Sequence, residues 1–386
     1  MPGPADGGGR QRILVIRNRF IGDTLLAIPF LRNLRQNFPE AVIDVLVEPV
    51  SGDVLASCPY VDELIRWSRP RTLRRSLGDS IGDLRQTARW LAGRGYDRAY
   101  VLKRAAAGGL LAWVAGIPHR VGFACQGQQL WLSRAARLKP LAHEAEHFLE
   151  QLRCDGLAVD DGHNENWVDP QAAAKVAQLL ADLPAQGPLI FLAPRAGAIT
   201  KQWPAERFAA VITAVAKRAE ARFVLCGGPG DLAMHQEIAA ACGPAVERLH
   251  DLSAACTLAD TAALIARCDL CIGVDTGLVH LAASFGKPCV VIFGSEDPHQ
   301  WHPWGTRYEL LRSARPQQSV GQRLAAAVSR PPTGRRWPAG RGNPLDVSVD
   351  DVVTASLRLL PQQPALPVHR LPPEASNGAA NSHHNP

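Results

Sequence analysis

The sequence lacks the features that mark zinc-binding, membrane-spanning and secreted disulfide-rich proteins. Its nine cysteines include one C-x-x-C motif, Cys268–Cys271, without the second ligand pair that common zinc sites require. Its longest apolar stretch, residues 105–118, is shorter than the roughly 18 residues needed to cross a bilayer. No secretory signal precedes the first apolar run, so we expect reduced cysteines and a cytoplasmic protein.

Signatures of several enzyme and binding classes are absent too. The sequence contains no Asp-x-Asp pair of the kind that binds a metal ion. No G-x-G-x-x-G fingerprint follows the first predicted strand, which disfavours a nicotinamide dehydrogenase. Aromatic residues, 6% of the chain, do not alternate with arginines as they do in single-strand nucleic-acid sites, so we expect no nucleic-acid partner. The net charge of +6 favours an acidic partner of another kind.

Short apolar strands alternate with amphipathic helices in two successive series, which predicts an α/β protein with two similar domains. Hydrophobic residues make up 46% of the 386 residues, enough for two cores. The predicted strands are 13–16, 41–47, 63–67, 98–102, 189–193, 222–226, 270–274 and 289–293. The predicted helices are 23–36, 80–93, 204–218, 278–285 and 349–360.

Composition predicts the domain boundaries. We expect a disordered N-terminus (1–11), a first domain (12–170), a linker within 164–183, a second domain (185–313), a Pro-, Gly- and Arg-rich loop or insertion (314–346), a last helix (347–361) and a disordered tail (362–386).

The stretch 274–294, VDTGLVHLAASFGKPCVVIFG, places polar residues between two predicted buried strands. Asp275, Thr276 and Gly277 form a turn at the carboxyl end of one strand and at the start of a helix. Open α/β sheets bind ligands there, and the free amides of a helix start attract phosphate. An ordinary helix cap is the alternative.

Four segments together resemble the ADP-heptose:lipopolysaccharide heptosyltransferases, glycosyltransferase family 9. They are RNRFIGDTLLAIPFLRNLRQNFPEAVIDVLVEP (17–49), TKQWPAERFAAVI (200–212), FVLCGGPGD (223–231) and DLSAACTLADTAALIARCDLCIGVDTGLVHLAASFGKPCVVIFGSEDPHQWHPWG (251–305). They occur in the family's order and cover most of residues 12–312. The resemblance implies an α/β GT-B fold, in which two Rossmann-like domains face each other across a cleft and the second binds most of the donor.

The resemblance implies two catalytic residues. Asp23 matches the proposed general base, which takes the proton from the acceptor hydroxyl in an inverting transfer; a helix cap is the alternative. Lys201 matches a lysine that meets the donor diphosphate, where its ammonium stabilises the leaving group; a solvated lysine is the alternative. Thr200 lies beside it in the same donor loop.

The remaining donor residues follow from the same matches. The amides of Thr276, Gly277 and Leu278 are expected to bind phosphate, with Gly277 allowing its close approach. Asp275 is expected to orient the turn or meet a sugar hydroxyl. We expect His280 either to reach a donor oxygen or to pack within the fold. Two further donor-binding candidates, Gly228 and Asp231, belong to the loop at 227–231. Asp231 is expected either to bind the ribose or to cap a helix.

The acceptor implied by the resemblance is the anionic inner core of lipopolysaccharide. A run of arginines without an intervening acid, including Arg71, Arg74 and Arg75, lies in the acceptor-side domain and is suited to such anions. We expect Lys103 and Arg120 to line the same side. A solvated face is the alternative for the whole run.

These matches predict an inverting, metal-independent and cofactor-free glycosyltransferase that uses ADP-heptose or another nucleotide sugar. We expect it to transfer heptose to an anionic glycolipid in peripheral contact with the inner face of the inner membrane. Three alternatives stay open: a family 9 transferase with another sugar or acceptor, a nucleotide-sugar epimerase of similar fold, and a non-catalytic binder, which an intact Asp23 argues against.

Replacing Arg71, Arg74 and Arg75 together with serine should raise the KM for the acceptor and leave nucleotide binding unchanged. Charge contacts at a surface are screened by salt, so the variant should show a flatter dependence of acceptor KM on ionic strength than the wild type. Steady-state kinetics across a salt series measure both quantities. Identical acceptor kinetics in the two proteins would assign these arginines to a solvated face.

Overall fold

The computed structural model describes residues 10–17, 20–67, 77–183, 187–198, 201–294, 296–312 and 343–360. Within these ranges, two six-stranded parallel sheets form the frame of the molecule. The strands of the first half are β1 (Arg12–Ile16), β2 (Val42–Val47), β3 (Glu63–Arg66), β4 (Arg98–Val101), β5 (His119–Phe123) and β6 (Arg134–Ala136). Those of the second half are β7 (Leu189–Ala193), β8 (Arg222–Leu225), β9 (Leu249–Asp251), β10 (Leu270–Val274), β11 (Cys289–Ile292) and β12 (Tyr308–Leu311).

Both sheets have the strand order of a Rossmann fold. The first runs β3-β2-β1-β4-β5-β6 and the second runs β9-β8-β7-β10-β11-β12. The winding direction therefore reverses between β1 and β4, and again between β7 and β10. Doubly wound sheets bind ligands outside the carboxyl ends of the strands at such switch points. The predicted α/β class with two Rossmann-like halves is confirmed.

Helices cover the faces of both sheets. The helices of the first half are α1 (Ile21–Leu25), α2 (Ile28–Asn37), α3 (Pro49–Asp53), α4 (Leu77–Ala92), α5 (Ala106–Val114) and α6 (Glu144–Cys154). Those that follow are α7 (Pro170–Ala181), α8 (Ala205–Ala219), α9 (Leu232–Ala241), α10 (Leu258–Arg267), α11 (Gly277–Ser284), α12 (Pro298–Trp301) and α13 (Val349–Leu359). Short 3-10 helices occupy Gln128–Trp131, Gly243–Arg248 and Pro344–Asp346. No helix in the described ranges has the length and apolarity needed to cross a bilayer.

The helix predicted at residues 23–36 is two helices in the structure. Helix α1 ends at Leu25, and α2 begins at Ile28 with Pro29 in its first turn. Proline has no amide hydrogen to donate to the carbonyl of Leu25, and its ring crowds that carbonyl, so the helix is interrupted before Pro29. The break matters because α1 is a separate short element that faces the second half.

The segment predicted as a linker contains helix α7. Lys175 of α7 pairs with Asp260 of α10 at 2.6 Å, which places this helix with the second half. The residues before α7 lie on the first half instead, where Arg32 of α2 contacts the Glu165 carboxylate at 2.5 Å. The chain thus passes from one half to the other between residues 165 and 170.

The predicted last helix is present and closes the core of the second half. Helix α13 packs on α8, and the indole of Trp203 donates to the carbonyl of Val347 at 3.3 Å. The predicted tail, most of the predicted disordered N-terminus (1–11) and most of the predicted loop at 314–346 lie outside the described residues.

Two glycines bring the halves into close contact at helices α1 and α11. A Cβ atom at Gly22 would lie 2.7 Å from Cδ2 of His280, and one at Gly277 would lie 3.0 Å from Cβ of Ile21. Apolar side chains of both helices belong to one buried cluster that continues from the first half into the second. We call this contact between α1 and α11 the seam.

Gly22→Ala should lower the free energy of unfolding by roughly 1–3 kcal/mol, because the added methyl group overpacks the seam. Thermal unfolding monitored by circular dichroism measures the effect. Gly82→Ala is the matched control: Gly82 is exposed on α4 with no atom within 4 Å of an added Cβ, so alanine should stabilise slightly there. A Gly22→Ala protein that melts like the wild type would contradict the tight contact.

Candidate active site

Loops from both switch points meet at the seam. Helix α1, which follows β1, carries Asp23, and the loop after β10 carries Asp275; the contact between α1 and α11 joins these two segments. Lys201 follows β7, whose carboxyl end is next to that of β10 in the sheet. The structure therefore brings together the residues predicted for catalysis and those predicted for phosphate binding.

A buried arginine holds the carboxylate of Asp23. Nη2 of Arg17 lies 2.5 Å from Oδ2 of Asp23, and Nη1 donates to the carbonyl of Leu102 at 3.2 Å. The guanidinium also lies 5.4 Å from the ring centre of Phe148, and Arg17 is 6% exposed. Sequence reasoning missed Arg17, although its place directly after β1 at a switch point is the signal that could have found it.

A second buried carboxylate, that of Glu144 in α6, connects the halves. It accepts hydrogen bonds from Arg104 and, at 2.6 Å, from the side-chain amide of Gln300 in α12. Burial raises the pKa of Glu144, but the hydrogen bond from His147, the charge of Arg104, the Gln300 amide and the charge of Arg17 outweigh it and hold the pKa at about 2. Because Glu144 is far from Arg104 and Gln300 in the sequence, no local sequence pattern predicts these contacts.

The ammonium group of Lys201 is held at the carboxyl end of β10. Its Nζ lies 2.8 Å from Oδ2 of Asp275 and 3.7 Å from the Glu296 carboxylate. Asp275 is itself buried. Asp275 was expected to orient the turn or meet a sugar hydroxyl, and in the structure its carboxylate positions the lysine.

The start of helix α11 has no side-chain cap within the described structure. Thr276 has the extended backbone of a capping residue, yet its side chain accepts no hydrogen bond from the helix. The ordinary cap proposed as the alternative for Thr276 is therefore not what the hydroxyl does here. Gly277, expected to admit a phosphate, is faced by Ile21 and the backbone of Gly22. Its lack of a side chain serves the seam.

His280 is buried in the seam with an unusual electrostatic environment. Burial lowers its pKa to about 4, and the charges of Lys201 and His302 act in the same direction against the opposing effect of Asp275. The imidazole is therefore neutral at pH 7. Its Nδ1 makes no hydrogen bond among the described residues, so the histidine packs against Gly22 while one ring nitrogen stays available.

Asp231 stabilises the glycine loop after β8. Its Oδ2 accepts from the amide of Gly228 at 2.8 Å, and its Oδ1 lies 3.1 Å from Nη1 of Arg195. A Cβ at Gly227 would lie 2.4 Å from the same carboxylate, so glycine is required there. No side-chain bond from Asp231 caps α9 in the described part of the chain. Arg195, in the loop after β7, is a further polar residue that sequence reasoning missed.

The family of the chain follows from comparison with known proteins. Residues 84–326, more than half of the chain, match the model of glycosyltransferase family 9 (heptosyltransferase). The chain belongs to glycosyltransferase family 9. It is thus a glycosyltransferase, as the sequence motifs predicted.

Individual family 9 proteins resemble the chain over most of its length. Lipopolysaccharide heptosyltransferase 2 of Escherichia coli (strain K12) is 26% identical over 322 residues, which are 78% of this chain and 88% of that protein. Lipopolysaccharide heptosyltransferase 3 of the same strain is 25% identical over 353 residues, 89% and 96% of the two chains. The structure of E. coli ADP-heptose lipopolysaccharide heptosyltransferase II has a TM-score of 0.70 at 23% identity and covers 90% of this chain and 98% of that chain. The predicted GT-B fold is confirmed.

Two of the residues predicted to bind the acceptor, Lys103 and Arg120, lie in different parts of the first half of this family 9 chain. Lys103 lies just beyond the carboxyl end of β4, at the same edge as Asp23. Arg120 is the second residue of β5, near the opposite edge, and donates to the carbonyls of Ile117, Pro118 and Trp131. This placement does not support the acceptor role expected for Arg120, because its guanidinium is fixed by the backbone away from the carboxyl ends of the strands.

Some predicted site residues cannot be placed on this geometry. Thr200, Arg71, Arg74 and Arg75 lie outside the described residues, and their roles stay predictions. Within the described ranges, no group of three or more His, Cys, Asp or Glu side chains is arranged to hold a metal ion.

Proposed function

We propose that this chain transfers a heptose from ADP-heptose to the inner core of lipopolysaccharide, with inversion at the anomeric carbon. The names of its relatives support the sugar and the acceptor. The observation that carries the proposal is the contact of α1, which carries Asp23, with α11, whose start adjoins Asp275 and the Lys201 ammonium that Asp275 binds. An inverting transfer needs a base on the acceptor side and a cation on the leaving group.

Asp23 acts as the general base. It accepts the proton of the acceptor hydroxyl while the oxygen forms its bond to the anomeric carbon and the bond from that carbon to ADP breaks. The Arg17 pair orients the carboxylate, since its guanidinium is fixed in turn by the Leu102 carbonyl. A side chain fixed in this way loses little freedom on reaching the transition state.

Lys201 and the start of α11 stabilise the departing ADP. Negative charge grows on the phosphate oxygens as the bond to the sugar breaks, and a fixed ammonium stabilises that charge in a site that excludes water. The free amides of Gly277 and Leu278 add the positive end of a helix. Asp275 holds Lys201 in place before the donor arrives. No metal ion and no cofactor enters this proposal.

The proposed acceptor is an anionic glycolipid that approaches the first half. Lys103 and the arginines at 71, 74 and 75 supply positive charge for its carboxylates and phosphates. The protein would then work in peripheral contact with the cytoplasmic face of the inner membrane. Gly228 and Asp231, tied together after β8, are proposed to border the nucleotide, and His280 to reach a donor oxygen.

Asp23→Asn should lower kcat by on the order of a hundredfold or more, because an amide cannot accept the proton. The Kd for ADP should change little. Release of ADP in a coupled assay gives kcat, and calorimetry gives Kd. Asp62→Asn is the matched control, since it breaks another 2.5 Å aspartate–arginine pair, with Arg35, at the amino end of β3. Wild-type turnover by Asp23→Asn would leave Asp23 with a structural role alone.

Lys201→Ala should raise the Kd for ADP by on the order of tenfold or more, the value of a charge-assisted hydrogen bond, and should slow transfer. Lys139→Ala, which removes a lysine paired with Glu150 at 2.6 Å, serves as the control and should bind ADP normally. EDTA should leave wild-type activity unchanged. Strong inhibition by EDTA that magnesium reverses would overturn the metal-independent mechanism.

A further inference from the structure

Four apolar side chains form a patch on the outside of the first half. They come from the end of α5 and from the adjoining 3-10 helix Gln128–Trp131. Trp113 is 51% exposed, Val114 39% and Leu130 76%. The rings of Trp113 and Trp131 lie 5.0 Å apart between centres. We call these four residues the tryptophan patch.

The tryptophan patch ends a helix that has no polar face. Helix α5 has the sequence AAGGLLAWV, without a charged residue. A helix that is apolar all round is normally covered on every side, yet its last residues face solvent in the described structure. A cluster of exposed apolar and aromatic side chains often marks a surface that binds a protein or a membrane.

The chain around the tryptophan patch carries charge of one sign. The 46 residues from Arg98 to His143 contain seven arginines and lysines and no aspartate or glutamate. Several of these cations pair with acids from elsewhere, as Arg98 does with Asp155. Arg120 differs from Arg98, because the described hydrogen bonds of its guanidinium all go to neutral carbonyl groups, including that of Trp131 at 2.7 Å. Its positive charge is thus fixed beside the tryptophan patch without neutralisation.

We infer that the tryptophan patch docks the protein on the surface of an anionic lipid bilayer. Tryptophan rings favour the level of the lipid headgroups, while leucine and valine side chains reach the acyl boundary. Arg120 would meet the headgroup phosphates just above them. The inference deepens the proposed function, since a glycolipid acceptor lies on such a surface, but docking is independent of the sugar transferred.

A second copy of the chain fits the tryptophan patch less well. Two copies that met through the same surface would be related by a two-fold axis, which places like groups near each other. Two Arg120 guanidinium groups would then approach with no described acid to separate them, and like charges at an interface are costly. An anionic bilayer supplies the missing negative charge.

Co-sedimentation with lipid vesicles tests the inference on the intact protein without substrate. The wild type should bind vesicles of phosphatidylcholine mixed with phosphatidylglycerol more tightly than vesicles of phosphatidylcholine alone. The double variant Trp113→Ser/Leu130→Ser should bind the mixed vesicles on the order of tenfold or more weakly, the value of one large apolar side chain buried. Arg120→Gln should reduce the preference for the anionic lipid.

Trp90→Ser is the matched control. Trp90 is an exposed tryptophan of α4 whose ring stacks with the guanidinium of Arg94. Arg94 in turn pairs with Glu63 of β3, the edge strand farthest from β6 in the sheet. Its replacement should leave vesicle binding unchanged. If the double variant fails to fold, Leu130→Ser alone provides the test with a smaller loss, because the side chain is largely exposed already.

Two results would overturn the inference. One is equal vesicle binding by the wild type and the variants of the tryptophan patch. The other is a wild-type dimer in size-exclusion chromatography that the double variant converts to a monomer, which would assign the surface to a second copy. Failure of transfer from ADP-heptose with normal vesicle binding would count against the proposed function alone, so the two failures are distinguishable.

Discussion

Helices α1 and α11 can touch because neither Gly22 nor Gly277 carries a side chain. This contact fixes the distance between the loop after β1 and the loop after β10, and each loop comes from the switch point of its own sheet. Each Rossmann-like half supplies part of the proposed site: a carboxylate in the first and a cation with a helix start in the second. The two glycines, together with contacts such as that of Glu144 with Gln300, keep the two parts of the proposed site next to each other.

Each charge at the site carries a partner of opposite sign. Arg17 pairs with Asp23, and Asp275 pairs with Lys201; an unpaired buried charge would be strongly destabilising. Two titratable groups near the site, Glu144 and His280, both lower the free energy of unfolding as the pH falls. The pKa of Glu144 is lowered from 4.5 to about 2, so its stabilising effect is present above pH 4.5 and is lost as the pH falls to 2. The pKa of His280 is lowered from 6.5 to about 4. The unfolded state therefore binds the proton first, and the free energy of unfolding falls as the pH drops from 6.5 to 4. Both effects weaken the contact between the two halves in acid.

Local patterns predicted the polar turn and eight of the twelve strands in the described ranges, since those eight are short runs rich in apolar residues. The sequence reading did not predict β5, β6, β9 and β12, of which β6, β9 and β12 are edge strands of their sheets. Asp23, Lys201 and Asp275 could be found because each lies shortly after a buried strand within a recognisable segment. Glu144 and Gln300 could not, because they are 156 residues apart and meet only through the packing of α6 and α12. Arg120 was assigned by its charge, whereas its role depends on which carbonyls the chain places around it.

The acid-free segment from Arg98 to His143 serves both ends of the first half. At its start, the carbonyl of Leu102 binds Arg17, which in turn holds the proposed base. Further along, it carries the tryptophan patch and the fixed charge of Arg120. This stretch has no carboxylate of its own that could compete with Asp23 for Arg17, and none that would repel the anionic surface inferred for the tryptophan patch.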